Sequence, residues 1–318
     1  MAGSLAVDSA ILLVGILLLY VGAELLVAAA SALALSHGVR AATVGVTVVA
    51  FATTAPELFV SSIGALTESD SIALGNIVGS NIANIGLVLG ASALVRPMDV
   101  DDATLYQHGP FMFAAAVALV ALGLDGSIGA LDGVALLALL AAFTGYLYYK
   151  AQEDEVVLPE DVEMDEDATT AGVREYLTLL VSIGLLLAGS RALIVGGTGV
   201  LKAWGFGNLF IGLTIIAFGT SVPELATSLV SAVRGEAQFS VGNVVGSNIY
   251  NVLAVIGVVA VIVPISVKSA TIGYEFPVML AFTVVALGMM GLGERVTRFE
   301  GLALVGGYVG FLYFLLPS

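Results

Sequence analysis

Cysteine is absent from the 318 residues, and there are only two histidines and one tryptophan. Disulfides and thiol chemistry are excluded, and a zinc or copper centre has neither a thiolate nor a histidine pair to draw on. Charge is scarce at 11% of residues and lopsided, with 25 Asp and Glu against 10 Lys and Arg for a net −15. A nucleic-acid partner needs clustered cations, so none is expected. Lys150, Lys202 and Lys268 are the only lysines. An acidic, lysine-poor surface stays hydrated at high ionic strength and suits a salt-loving source. No HExxH motif and no serine/histidine pair lies within the apolar runs, which argues against a membrane-embedded hydrolase. Neither an enzyme nor a cofactor is expected.

What the chain has instead is apolar length: 59% of residues are hydrophobic and the mean hydropathy is +1.06. A helix crossing a hydrocarbon core of about 30 Å needs roughly 20 apolar residues. Such runs lie near 9–35, 41–66, 71–95, 109–124 and 131–149, then near 175–196, 208–233, 238–263, 274–292 and 299–316. The expected fold is an all-α, multi-pass membrane protein of ten transmembrane helices. The opening residues MAGSLAV carry no basic side chain and precede a run longer than a signal-peptide core, so they read as part of a retained first span. Between the two sets of five, nine carboxylates fall between Glu153 and Asp167 with no basic residue, which reads as a solvated linker.

The two sets of spans are related. GVTVVAFATTAPEL at 45–58 matches GLTIIAFGTSVPEL at 212–225, and GNIVGSNIAN at 75–84 matches GNVVGSNIYN at 242–251. One offset of 167 aligns both blocks, and 20 of the 46 positions from Gly45 to Gly90 equal their partners, too many for a chance alignment of apolar helices. The expected units are therefore 1–150, with its motifs at 45–90, and 173–318, with its motifs at 212–257, joined by the acidic segment 151–172. An odd number of spans per unit makes the second copy enter the bilayer from the opposite side, so the repeats are expected to be inverted. With the amino terminus outside, Arg40, Arg96, Lys150, Arg174, Arg234, Arg295 and Arg298 fall on inner loops, against Lys202 and Lys268 outside. That orientation satisfies the positive-inside rule and places the linker in the cytoplasm.

Ionisable groups inside spans are costly and usually face a cavity, a partner or an ion. Glu57 and Glu224 stand at equivalent places, in the stretches Thr53-Thr54-Ala55-Pro56-Glu57 and Thr220-Ser221-Val222-Pro223-Glu224. Thr53 and Glu57, like Thr220 and Glu224, are four apart and share a helical face. Pro56 and Pro223 lack the N–H that would bond the carbonyls of Ala52 and Gly219, so those oxygens are available to line a cavity. Ser80 with Asn84, and Ser247 with Asn251, repeat the four-residue spacing on the next helix of each unit. Small and polar residues at this spacing also serve as packing glue between membrane helices. An unpaired carboxylate in lipid is a poor structural device, so ion binding is the stronger reading. Carboxylate, amide, hydroxyl and carbonyl oxygens suit calcium or sodium.

These blocks resemble the sodium/calcium exchangers of the calcium/cation antiporter superfamily, whose repeats pair a GTSxPE-like motif with a GNxxGSN-like motif. GTSVPE with GNVVGSN fits closely; ATTAPE with GNIVGSN departs at Ala52 and Thr54. With the acidic composition, the resemblance suggests a prokaryotic member, from a halophilic archaeon. It implies that Glu57 and Glu224 are central metal ligands, with Thr53, Thr54, Ser80 and Asn84 from one unit and Thr220, Ser221, Ser247 and Asn251 from the other. Backbone carbonyls of Ala50 and Ala217 would complete sodium sites. It also implies that spans one and six slide across the rest to alternate access, in a protein that works as a monomer in lipid. Neutral Asn84 and Asn251 argue against a potassium-requiring subtype.

The expected activity is electrogenic exchange of sodium for calcium. The alternatives are a calcium/proton antiporter, whose relatives typically carry a GNxTE-like helix that is lacking here, and a passive cation channel. Four minor readings remain. Glu24 and Arg191 hold equivalent positions and either pair across the symmetry axis or snorkel to water. His37 and His108 read as surface groups near span ends. Tyr146, Tyr148 and Tyr149 read as interfacial anchors. The linker, with acids but without an EF-hand glycine, reads as solvation rather than regulation.

Overall fold

The computed structural model describes residues 2–36, 40–67, 70–153, 172–205, 219 and 221–315. The linker between 154 and 171, His37, Thr220 and Ala217 lie outside the described residues. Helices dominate: α1 (Ala2–Ser36), α2 (41–67), α3 (70–95), α4 (Ala103–Gly123), α5 (Ala130–Glu153), α6 (Val173–Ala203), α7 (Val222–Arg234), α8 (Ala237–Ile262), α9 (Thr271–Gly293) and α10 (Arg298–Leu315). Among the described residues, seven of these are long and apolar enough to cross a membrane: α1, α3, α4, α5, α6, α8 and α9. Part of the run at 208–233 lies outside the described residues, and the remainder forms α7.

The layers follow from burial. In α3 and α8, 78% and 72% of the apolar window is buried, whereas in α1, α4, α5, α6 and α9 the share is at most 33%. The first two are therefore the centre, and the others ring them with apolar faces turned outward, as Leu131, Leu292 and Phe299 show. Apolar burial gives little drive between helices already in lipid, so close packing has to hold them. α1 and α6 meet through glycines: a Cβ added at Gly15 would stand 2.6 Å from Leu193 N, and one at Gly189 would stand 2.8 Å from Leu19 N. These two helices pack along each other over their length, with α7 against α1.

Among the described residues, four two-residue strands clip the ends. β1 (Met98–Asp99) pairs antiparallel with β4 (Arg295–Val296), and β2 (Ser127–Ile128) pairs with β3 (Ile265–Ser266). Each pair thus joins the first half of the chain to the second. Wider, π-helical turns occur among the described residues at Gly45–Val49, Asn84–Leu89, Ala103–His108, Asn251–Ile256 and Thr271–Glu275, and the second and fourth each open on an asparagine already singled out. Such turns are rare and concentrate at functional sites, because the extra residue leaves local backbone groups displaced from the regular ladder.

Candidate functional site

The central crossing of α2, α3, α7 and α8 gathers the polar residues. α7 begins at Val222 with Pro223 in its first turn, where a missing N–H costs nothing, and ends at Gly235, whose φ of 82° only glycine adopts readily. That places Glu224 in the first turn and brings Ser221 against α3. Glu57 and Glu224 are both 0% exposed, and Thr53, Thr54, Ser80, Asn84, Ser221, Ser247 and Asn251 are all buried with them.

Named contacts tie the four helices. Ser221 Oγ donates to Ser80 Oγ at 3.3 Å, linking α7 to α3. Thr53 Oγ1 lies 3.2 Å from the carbonyl oxygen of Ala50, 3.1 Å from Asn243 Oδ1 and 3.5 Å from Ser247 Oγ, linking α2 to α8. The two central helices touch through equivalent residues, Asn81 Nδ2 donating to the carbonyl of Asn248 at 3.4 Å. Asn251 Nδ2 donates to Asn81 Oδ1 at 3.0 Å. One further bond recurs in both halves: Asn76 Nδ2 reaches Ser61 Oγ, and Asn243 Nδ2 reaches Ser228 Oγ, each at 3.0 Å.

Other polar atoms lack partners. All four carboxylate oxygens of Glu57 and Glu224 are without a hydrogen bond, as are Thr54 Oγ1, the whole Asn84 amide and Asn251 Oδ1. The two carboxyl groups lie close enough to feel each other's charge, and the Thr53 hydroxyl stands beside Glu224. A buried charge without compensation costs several kcal/mol. No cluster of three or more His, Cys, Asp or Glu side chains occurs among the described residues. The available donors are thus two carboxylates and neutral oxygens, a set matched to hard cations.

Some residues depart from expectation. The Gly219 carbonyl is not left free: Ser190 Oγ of α6 donates to it at 2.6 Å. Glu24 pairs with Arg234 at the end of α7, and Arg191 is exposed. His108 is fully buried, and the Tyr146 ring packs tilted against Phe111 with centroids 5.4 Å apart while Tyr148 and Tyr149 are exposed. Ser61 and Ser228 were missed as asparagine partners, although each stands four residues beyond its glutamate, a spacing open to inspection.

Comparison with known proteins bears on this arrangement. The family model described as sodium/calcium exchanger protein matches residues 8–149 and 175–316. The chain belongs to this family. Members of the sodium/calcium exchanger family are multi-pass membrane transporters, not enzymes, and need no cofactor. The chain is 32% identical to inner membrane protein YrbG of Escherichia coli, over 97% of this chain and 98% of that one. It is 28% identical to sodium/calcium exchanger MaX1 of Methanosarcina acetivorans, over 98% and 99%. It is 24% identical to the Ca(2+)/H(+) antiporter ChaA of Bacillus subtilis, over 80% and 78%. The structure of the sodium-calcium exchanger NCX_Mj soaked with zero Na+ and Ca2+ superimposes with a TM-score of 0.84 at 26% identity, covering 98% of this chain and 100% of that one. The chain is therefore an antiporter of the calcium/cation type.

Proposed function

We propose that this antiporter exchanges sodium for calcium by alternating access, with Glu57 and Glu224 as the central ligands. Thr53, Thr54, Ser80, Asn84, Thr220, Ser221, Ser247 and Asn251, with the carbonyls of Ala50 and Ala217, complete the set. Ten helices in two inverted five-helix units, 1–150 and 173–318, carry it as a monomer in the cell membrane. The amino terminus is outside and the acidic linker cytoplasmic. The observation that carries this reading is the pair of fully buried carboxylates at equivalent positions, none of whose oxygens has a hydrogen-bond partner.

Charge arithmetic supplies the coupling. Two ionised glutamates carry −2, which one calcium ion neutralises and three sodium ions turn to +1. A site of low dielectric penalises net charge, so a loaded site crosses more readily than an empty one. That favours obligatory exchange over leak. Overlapping oxygens prevent calcium and sodium from binding fully together, so a sodium gradient expels calcium, and movement of a three-sodium form is electrogenic. The likeness to MaX1 supports sodium coupling, and that to ChaA keeps proton coupling as the second reading.

The test is flux. Vesicles holding purified protein and sodium are diluted into radioactive calcium, with the sodium gradient present or collapsed, at several fixed pH values. Calcium uptake is expected only with the sodium gradient. Uptake that ignores sodium and follows a pH gradient rejects this reading in favour of proton coupling.

A further inference from the structure

Beyond the carboxylates the two halves cease to match. On α7 a line at helical spacing runs Glu224, Thr227, Ser231, Arg234. Thr227 and Ser231 are 0% exposed, and neither hydroxyl has a hydrogen-bond partner. The stretch of α3 from Asn84 to Val95 packs against α7. It contributes Asn84 and, eight residues on, Ser92, also buried and also unpartnered. Gly90 turns its Cβ position onto α10. Ser92, two residues later and about 200° round the helix, faces the other way.

The equivalents of Thr227, Ser231 and Ser92 in the other unit are Val60, Gly64 and Val259, so packing alone does not call for hydroxyls here. Each unpaired hydroxyl in a dry interior is unfavourable, and water or a passing cation removes that penalty. The line ends in charge. Arg234 is ion-paired with Glu24 of α1, and its other terminal nitrogen is 4.0 Å from Glu236. Ser31 of α1 donates to Glu236 at 2.7 Å. α1 is thus fastened to the end of α7 at two points.

From this arrangement we propose that the seam of Thr227, Ser231 and Ser92 between α3 and α7 is the hydrated route by which the transported cation reaches Glu224 from the α7–α8 end, and that the Glu24–Arg234 pair is its gate. This rests on the reading of Glu57 and Glu224 as the ion site. While paired, Arg234 holds α1 against the end of α7 where the seam opens. When the pair parts, α1 is free to move and the hydroxyls replace part of the cation's water shell as it passes. Glu236 offsets the arginine charge that would otherwise repel it.

The absence of cysteine permits a direct test on the full chain in vesicles. Thr227→Cys and Ser231→Cys, made singly, are treated with a small cationic methanethiosulfonate reagent. Both are expected to react slowly, about tenfold faster when Glu24→Gln is added, and more slowly with saturating calcium. Val230→Cys, on the face packed against α1, is expected not to react while the Glu24–Arg234 pair is intact. Glu24→Arg with Arg234→Glu restores the pair in reverse and should return labelling to its slow rate, which separates gating from misfolding. Unreactive cysteines in both backgrounds overturn the route, as does equal labelling of Val230→Cys with the pair intact. A rate indifferent to Glu24→Gln overturns the gate. Unreactive cysteines with intact calcium exchange count against the seam alone, whereas reactive cysteines that calcium leaves unprotected count against the ion-site reading itself.

Discussion

α2 and α7 carry the same motif, yet they are held by different means. Near the glutamates one bond recurs in both halves, Asn76 with Ser61 mirroring Asn243 with Ser228, whereas Asn251 bonds Asn81 and the equivalent Asn84 amide has no partner. Where α7 meets α6 they diverge. Gly219 accepts from Ser190, and a Cβ there would collide with Ile194, whereas the equivalents of Gly219, Ser190 and Ile194 are Ala52, Ala23 and Val27. Side-chain volume has moved from one partner to the other. Symmetry is thus kept in part beside the buried carboxylates, and relaxed where a surrounding helix has only to fit.

The largest expected effect tests the symmetric part. Glu57→Gln and Glu224→Gln should each lower calcium flux by about a hundredfold or more, with the purified proteins still eluting as folded species. Near-normal flux in either would show that its carboxylate is structural and break the equivalence. Next comes Gly219→Ala, expected to cost about 1–3 kcal/mol of stability by overpacking. Thermal unfolding in detergent measures it. Adding Ile194→Val should recover most of the loss, and strict additivity would deny the volume exchange.

A smaller effect is expected at Asn243, which bonds Thr53, Ser228 and the backbone of Glu224. Asn243→Ala should weaken calcium about tenfold by calorimetry, since it loosens the mounting of Glu224 without removing its charge. Unchanged affinity would mean that the amide only fills space. Smallest is Ser190→Ala, expected to cost about 1 kcal/mol by leaving the Gly219 carbonyl unpaired. A variant as stable as the parent would show that water takes over the bond.

Much of this was legible from residue order, and the failures share a cause. Hydropathy placed the start of the fourth span at 109, but α4 begins at Ala103 because Asp101 Oδ1 accepts from the N–H of Thr104 at 2.9 Å and caps an extra polar turn. That turn carries His108, which looks terminal by sequence and is buried by its neighbours. Hydropathy also stopped the sixth span at 196, whereas α6 runs on to Ala203, since Lys202 tolerates the final turn. Polar residues that end an apolar window do not necessarily end a helix.

Among the site residues, Glu57, Glu224, Ser80, Asn84, Ser247 and Asn251 stood out because the repeat shows each position twice. Thr227, Ser231 and Ser92 did not, because their equivalents are apolar or glycine and the repeat passes over them. Glu24 was matched to Arg191 by symmetry, but distance selects Arg234.

Residue order by itself determined the apolar lengths, the doubled motifs and the face of each helix on which a side chain stands, since helical periodicity is a local property of the backbone. Which helix covers that face is a long-range matter. Only the tertiary structure joined Glu24 to Arg234, Ser190 to Gly219 and Asn81 to Asn248, because helices in lipid associate through close fit and polar pairing between segments that no local pattern encodes.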